Sequence, residues 1–154
     1  MNKTLSACLL SLAALAPLSA SAADPLVRFE GGIGVIPVNA AGANVVLGVN
    51  PGGQPWVISS LSADASTDGR INVDGRGLLL AGGNTIGRTG GQSVRARLFC
   101  GGVPSDSSLV PLEPNGDFKI AETLIPTPPV PCNTPVLLIV SAGGNWFAAG
   151  IPKQ

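Results

Sequence analysis

The stretch Gln92-Ser93-Val94-Arg95-Ala96-Arg97-Leu98-Phe99-Cys100 alternates residue by residue. Val94, Ala96, Leu98 and Cys100 fall on one side of an extended chain, and Ser93, Arg95, Arg97 and Phe99 on the other. Successive side chains of a strand point to opposite faces, so a strand separates these two sets where a helix would mix them. Arg70 to Asp74 repeats the pattern, with Ile71 and Val73 set against Arg70, Asn72 and Asp74. Phe118 and Ile120 alternate with Asp117 and Lys119 in the same way. This is the pattern of antiparallel sheets with one solvated face. No long stretch keeps a helical period without an interrupting Gly or Pro, and the 154 residues include 21 Gly and 14 Pro.

Outward from these stretches, the turns are legible. Asp68-Gly69 and Asn115-Gly116 each separate two apolar runs and predict hairpins with type I′ turns. Asp74-Gly75 reads as a bulge. A Gly-Gly-amide tripeptide occurs at Gly52-Gly53-Gln54, Gly82-Gly83-Asn84, Gly90-Gly91-Gln92 and Gly143-Gly144-Asn145. Three of these lead into strand starts at Trp56, Val94 and Trp146, so all four read as loops between strands. The resulting strands are Leu26–Glu30, Gly34–Val38, Asn44–Val49, Trp56–Ala65, Arg70–Leu80, Gln92–Cys100, Leu109–Leu112, Asp117–Glu122, Val136–Ser141 and Trp146–Ile151. Short strands with regular turn chemistry predict an all-β fold, an antiparallel β-sandwich of immunoglobulin-like or jelly-roll type, with a small closed β-barrel as the alternative. The proline-rich segment Leu124 to Pro135 reads as a crossover loop, because Pro cannot donate to a central ladder.

The N-terminal residues carry a different message. Lys3 gives a basic start, Leu5 to Leu18 an apolar stretch, and Ala20-Ser21-Ala22 a small-residue cleavage site, so residues 1–22 read as a cleavable signal peptide cut between Ala22 and Ala23. Leu5-Ser6-Ala7-Cys8 resembles the site of a lipidated cysteine, but most of the apolar stretch follows Cys8 instead of preceding it. Residues 23–154 then form a single exported domain, secreted or periplasmic. Export favours disulfides, and with Cys8 removed Cys100 and Cys132 are the remaining pair, expected to be joined.

Charge and chemistry narrow the function further. Nine basic residues balance nine acidic ones, and only 12% of residues are charged. Neither a basic surface for nucleic acid nor a membrane span is expected. The chain contains no histidine, which removes the commonest general base and metal ligand. No Gly-x-Ser-x-Gly elbow is present, and neither Lys119, on an outward strand face, nor Lys153, near the terminus, occupies a desolvated position that would activate a serine. No cofactor and no catalytic residue is expected. Asp64, Asp68 and Asp74 are the candidates for a weak calcium site, although their spacing departs from the twelve-residue calcium loop and two Asp-Gly turns explain them as well. Trp56 and Trp146 either fill the core or form a ligand platform. With so few aromatics, burial is the expectation for both.

Gly53-Gln54-Pro55-Trp56-Val57-Ile58, Val94-Arg95-Ala96-Arg97-Leu98-Phe99-Cys100 and Trp146-Phe147-Ala148-Ala149-Gly150-Ile151-Pro152 resemble small exported bacterial β-rich proteins of unknown function. The resemblance implies a secreted single domain and brings no catalytic residue with it. The functional expectation is a non-catalytic extracytoplasmic binding or structural protein whose partner is a protein or carbohydrate of the envelope or medium. The alternative is a carboxylate-dependent hydrolase acting on cell-wall or extracellular polysaccharide, which requires two acids converging in one cleft.

Overall fold

The computed structural model describes residues 22–38 and 42–154. The expected signal peptide lies outside the described residues apart from Ala22, and Ala22 and Ala23 open the described chain ahead of the first strand. Eleven strands follow in order: β1 (Pro25–Gly34), β2 (Trp56–Val57), β3 (Ser60–Ser66), β4 (Arg70–Arg76), β5 (Leu79–Leu80), β6 (Ser93–Cys100), β7 (Val103–Asp106), β8 (Val110–Pro111), β9 (Phe118–Thr123), β10 (Val136–Ser141) and β11 (Trp146–Pro152). The described residues contain no helix, and hence none long and apolar enough to cross a membrane.

Nine strands make one antiparallel sheet in the order β7-β6-β10-β11-β1-β3-β4-β9, with β8 also pairing with β6. The sheet curls into a half-barrel. Its two ends touch at a single antiparallel bridge, where Asp106 and Ile125 exchange backbone hydrogen bonds of 3.0 and 2.9 Å. A separate ribbon of β2 and β5 is tied to the sheet by Trp56 N–H donating to Val35 O at 2.8 Å.

The apolar residues of the alternating stretches fill one core. Val94, Ala96 and Leu98 of β6 are fully buried, as are Ile71 and Val73 of β4 and Phe118 and Ile120 of β9. β10 is buried on both faces from Leu137 to Ser141, which suits its position between β6 and β11. Cys100 closes β6 and stands at disulfide distance from Cys132 in the proline-rich loop, with Cα atoms 4.6 Å apart. Beside it, Gly101 N–H donates to Asn133 O at 2.6 Å.

Gly34 and Gly75 have the least space of the glycines. A Cβ on Gly34 would lie 2.0 Å from the Trp56 carbonyl oxygen, where β1 passes the ribbon. A Cβ on Gly75 would lie 2.2 Å from the Phe118 ring. Gly75 is therefore no bulge. Its register runs unbroken to Leu61 on one side and Phe118 on the other, and the missing side chain admits the neighbouring ring.

Other expectations are corrected by the backbone. Asp68-Gly69 closes the β3–β4 hairpin, whereas Asn115-Gly116 turns the chain between β8 and β9, which pair with β6 and β4 and not with each other; neither is a type I′ turn. Only Gly69 and Gly116 have positive φ, at 87° and 83°. Gly69 N–H donates to Ser66 O and Gly116 N–H to Glu113 O, which makes each a type I turn followed by a left-handed glycine. Asp68 and Asn115 side chains each accept the N–H two residues on, from Arg70 and Asp117. Asn44–Val49 is a tight turn with one internal bridge, Val46 to Val49, because Asn44, Leu47 and Gly48 all take positive φ. Gly34–Val38 is only the end of β1 and an extended segment. Trp56–Ala65 splits into β2 and β3, and Arg70–Leu80 splits at Gly77, which has a φ of 63°.

Candidate functional site

At one end of the half-barrel, three of the four Gly-Gly-amide turns line a single cleft of about 460 Å³. Gly52, Gly53 and Gln54 come from the segment entering β2, Gly90 and Gln92 from the approach to β6, and Gly143 and Asn145 from the β10–β11 turn. The fourth turn packs behind them, where a Cβ on Gly82 would meet the Pro55 ring and one on Gly83 the Gln54 amide. Each turn is ordinary loop chemistry in sequence. Their convergence is a product of the topology, since β11 and β6 both flank β10 while β2 is tied to Val35 at the end of β1.

The floor is aromatic. Trp56 and Phe147 stack with ring centroids 4.0 Å apart and planes 16° from parallel. Both are buried, at 4% and 5% exposure, as is Trp146 at 7%. The tryptophans therefore belong to the core, as their size argues, and are not a projecting platform. Trp146 turns away from the cleft, its indole N–H donating to Asn44 O at 2.8 Å. Gly52 lies against the stacked pair, and a Cβ there would come within 2.9 Å of the Phe147 ring and 3.2 Å of the Trp56 indole nitrogen.

The walls are polar and uncharged. Gln54, Gln92 and Asn145 bring side-chain amides to the cleft, and Thr85 and Ser141 bring hydroxyls. Ser141 is 3% exposed, and its hydroxyl accepts the Asn145 N–H at 3.2 Å, which fixes the turn that carries Asn145. Among the described residues no ionisable side chain lines the cleft.

The carboxylates are elsewhere, and six of them are held by bases. Asp64 pairs with Arg28, Asp68 with Arg70 at 2.6 Å, and Asp74 with Arg76 at 2.6 Å and Lys119 at 3.5 Å. The Arg76 hydrogen bond holds the Asp74 carboxyl below the usual range. Lys153 does the same for Glu30. The structure thus distributes Asp64, Asp68 and Asp74 to three different arginines, and among the described residues no group of three or more potential metal ligands gathers. Lys119 projects from β9 and pairs with Asp74, and Lys153 pairs with Glu30. Asp106 receives two hydrogen bonds of 2.7 Å from Arg97 across β6 and β7, which sets the outer face of that strand pair.

No family model, curated protein or solved structure matches the chain.

Proposed function

We propose that the protein is a non-catalytic extracytoplasmic binding domain, exported by cleavage after Ala22, whose ligand site is the cleft between the Gly-Gly-amide turns. The observation that carries this reading is the convergence of three sequence-distant copies of one tripeptide on a single uncharged cleft. Glycines keep the backbone thin at the rim, and each amide is both donor and acceptor. Against the hydrolase reading stands the pairing of Glu30, Asp64, Asp68, Asp74, Asp106 and Asp117 with basic side chains outside this cleft. On fold, we read the two halves of the curled sheet, β7-β6-β10-β11 and β1-β3-β4-β9, as facing each other across one core in the manner of sandwich layers. The immunoglobulin-like or jelly-roll kinship rests on strand number and turn spacing alone.

The test is capture from the envelope and medium of the producing cell with tagged protein, in the wild type and in Gly53→Trp. Gly53 has no atom within 4 Å of its Cβ position and no positive φ, so an indole there fills the cleft without disturbing the fold. The expected result is a partner captured by the wild type and lost in Gly53→Trp at an unchanged melting temperature. Equal capture by both places binding elsewhere and overturns the site.

A further inference from the structure

We infer that the ligand of this cleft is an uncharged carbohydrate. The inference rests on the cleft being the binding site and adds the chemical class of what it holds. Four features point there. First, the lining offers neither the cations that recognise phosphate, sulfate or uronate nor the carboxylates that recognise amines. Second, a sugar hydroxyl both donates and accepts, and the primary amides of Gln54, Gln92 and Asn145 do the same from three directions. Third, the floor is the buried Trp56–Phe147 pair, so the polar groups a ligand meets are confined to the rim, as the ring-borne hydroxyls of a sugar require. Fourth, the cleft size falls within the roughly 300–1,000 Å³ of small-molecule sites, enough for a short segment of a longer glycan.

An extended peptide is the competing neutral, hydrogen-bonding ligand, and the backbone argues against it. Peptides that add to a sheet need a free ladder edge. The strands bordering the cleft have used theirs. Trp56 N–H donates to Val35 O, Ala81 N–H to Pro55 O, Leu80 N–H to Arg88 O, and Leu80 O accepts from Gly87 N–H. On the far wall, Gly52 N–H donates to Trp146 O. What remains open is side-chain amide and hydroxyl, the complement of a polyol and not of a strand.

The experiment is a two-dimensional amide NMR titration of the mature protein with three uncharged probes, maltohexaose, chitohexaose and cellohexaose. A charged probe, hexagalacturonate, and an uncharged hexapeptide serve as comparisons. At least one neutral oligosaccharide should shift the resonances of Gly52–Gln54, Gly90–Gln92, Gly143–Asn145 and the Trp56 indole together. Its affinity should change by no more than about twofold between low and high salt, since no ion pair is involved. Gln92→Ala and Asn145→Ala should each weaken it roughly tenfold with the melting temperature unchanged, the loss of about one hydrogen bond. Silence with all three neutral probes overturns the carbohydrate assignment. Shifts at these turns with the peptide or hexagalacturonate alone overturn the class and keep the site. Sugar-induced shifts confined to other surfaces overturn both.

Discussion

Gly34 and Gly53 are chemically identical and structurally opposite. A methyl group on Gly34 would overlap the Trp56 carbonyl, a backbone atom that can yield only by moving the ribbon, whereas one on Gly53 meets open space. Gly34→Ala is expected to cost about 3 kcal/mol or more in chemical denaturation, and Gly53→Ala to stay within about 0.5 kcal/mol. Neither difference is visible in the sequence, because each depends on a chain segment distant from it. Asp74 makes a second residue-scale case. Its folded carboxyl is held below the ordinary range by Arg76, so the ionised form favours the fold. That contribution is present above the ordinary carboxylate pKa of about 4 and is lost as pH falls through the lower folded value. Denaturant midpoints measured from about pH 7 to pH 2 should therefore drop less steeply for Asp74→Asn than for the wild type in the acid limb.

Among elements, legibility tracks how local the cause is. β10 is bounded by residues Val136 and Ser141 in both sequence and structure, and β6 differs by one residue, because an apolar run or a clean alternation is a property of the segment itself. β7 gave no such sign. Val103-Pro104-Ser105-Asp106 buries only Ser105 and becomes a strand because Cys100 turns the chain back onto β6 through Gly101 and Gly102, both with positive φ. The turns were legible as positions and not as turn types, since Asp-Gly and Asn-Gly serve two geometries and Pro114 at the second turn position favours the type I form; only the first joins two strands that pair with each other. The proline-rich loop can be tested at this scale. It is anchored to β6 by Cys100 and Cys132, which are 32 residues apart in sequence. Replacing both with Ser should lower stability by about 3–4 kcal/mol in the chain-entropy account, read as a shift in denaturant midpoint. A mass increase from thiol alkylation of the unfolded, unreduced mature protein would contradict the pairing.

At the scale of the whole molecule, the all-β class was legible and the candidate site was not. The four tripeptides could be counted in the chain, but their meeting depends on strand order, which no local pattern encodes. The placement makes a prediction of its own. With no ionisable group in the lining among the described residues and no histidine in the chain, ligand affinity should stay flat between about pH 5 and pH 9, as calorimetric titration at several pH values would show. The strand order has a further effect, on the timing of assembly. β1 lies between β11 and β3, so the first strand made finds one of its two neighbours only when the last has emerged. The pairs Gly32 with Gly150 and Ile33 with Ala149 join residues more than a hundred positions apart along the chain, a costly closure that local hairpins cannot replace. A growing chain can form β3–β4 early yet cannot complete the sheet until β11 is present. The centre of the sheet is thus the last part of it to close, a built-in delay in folding.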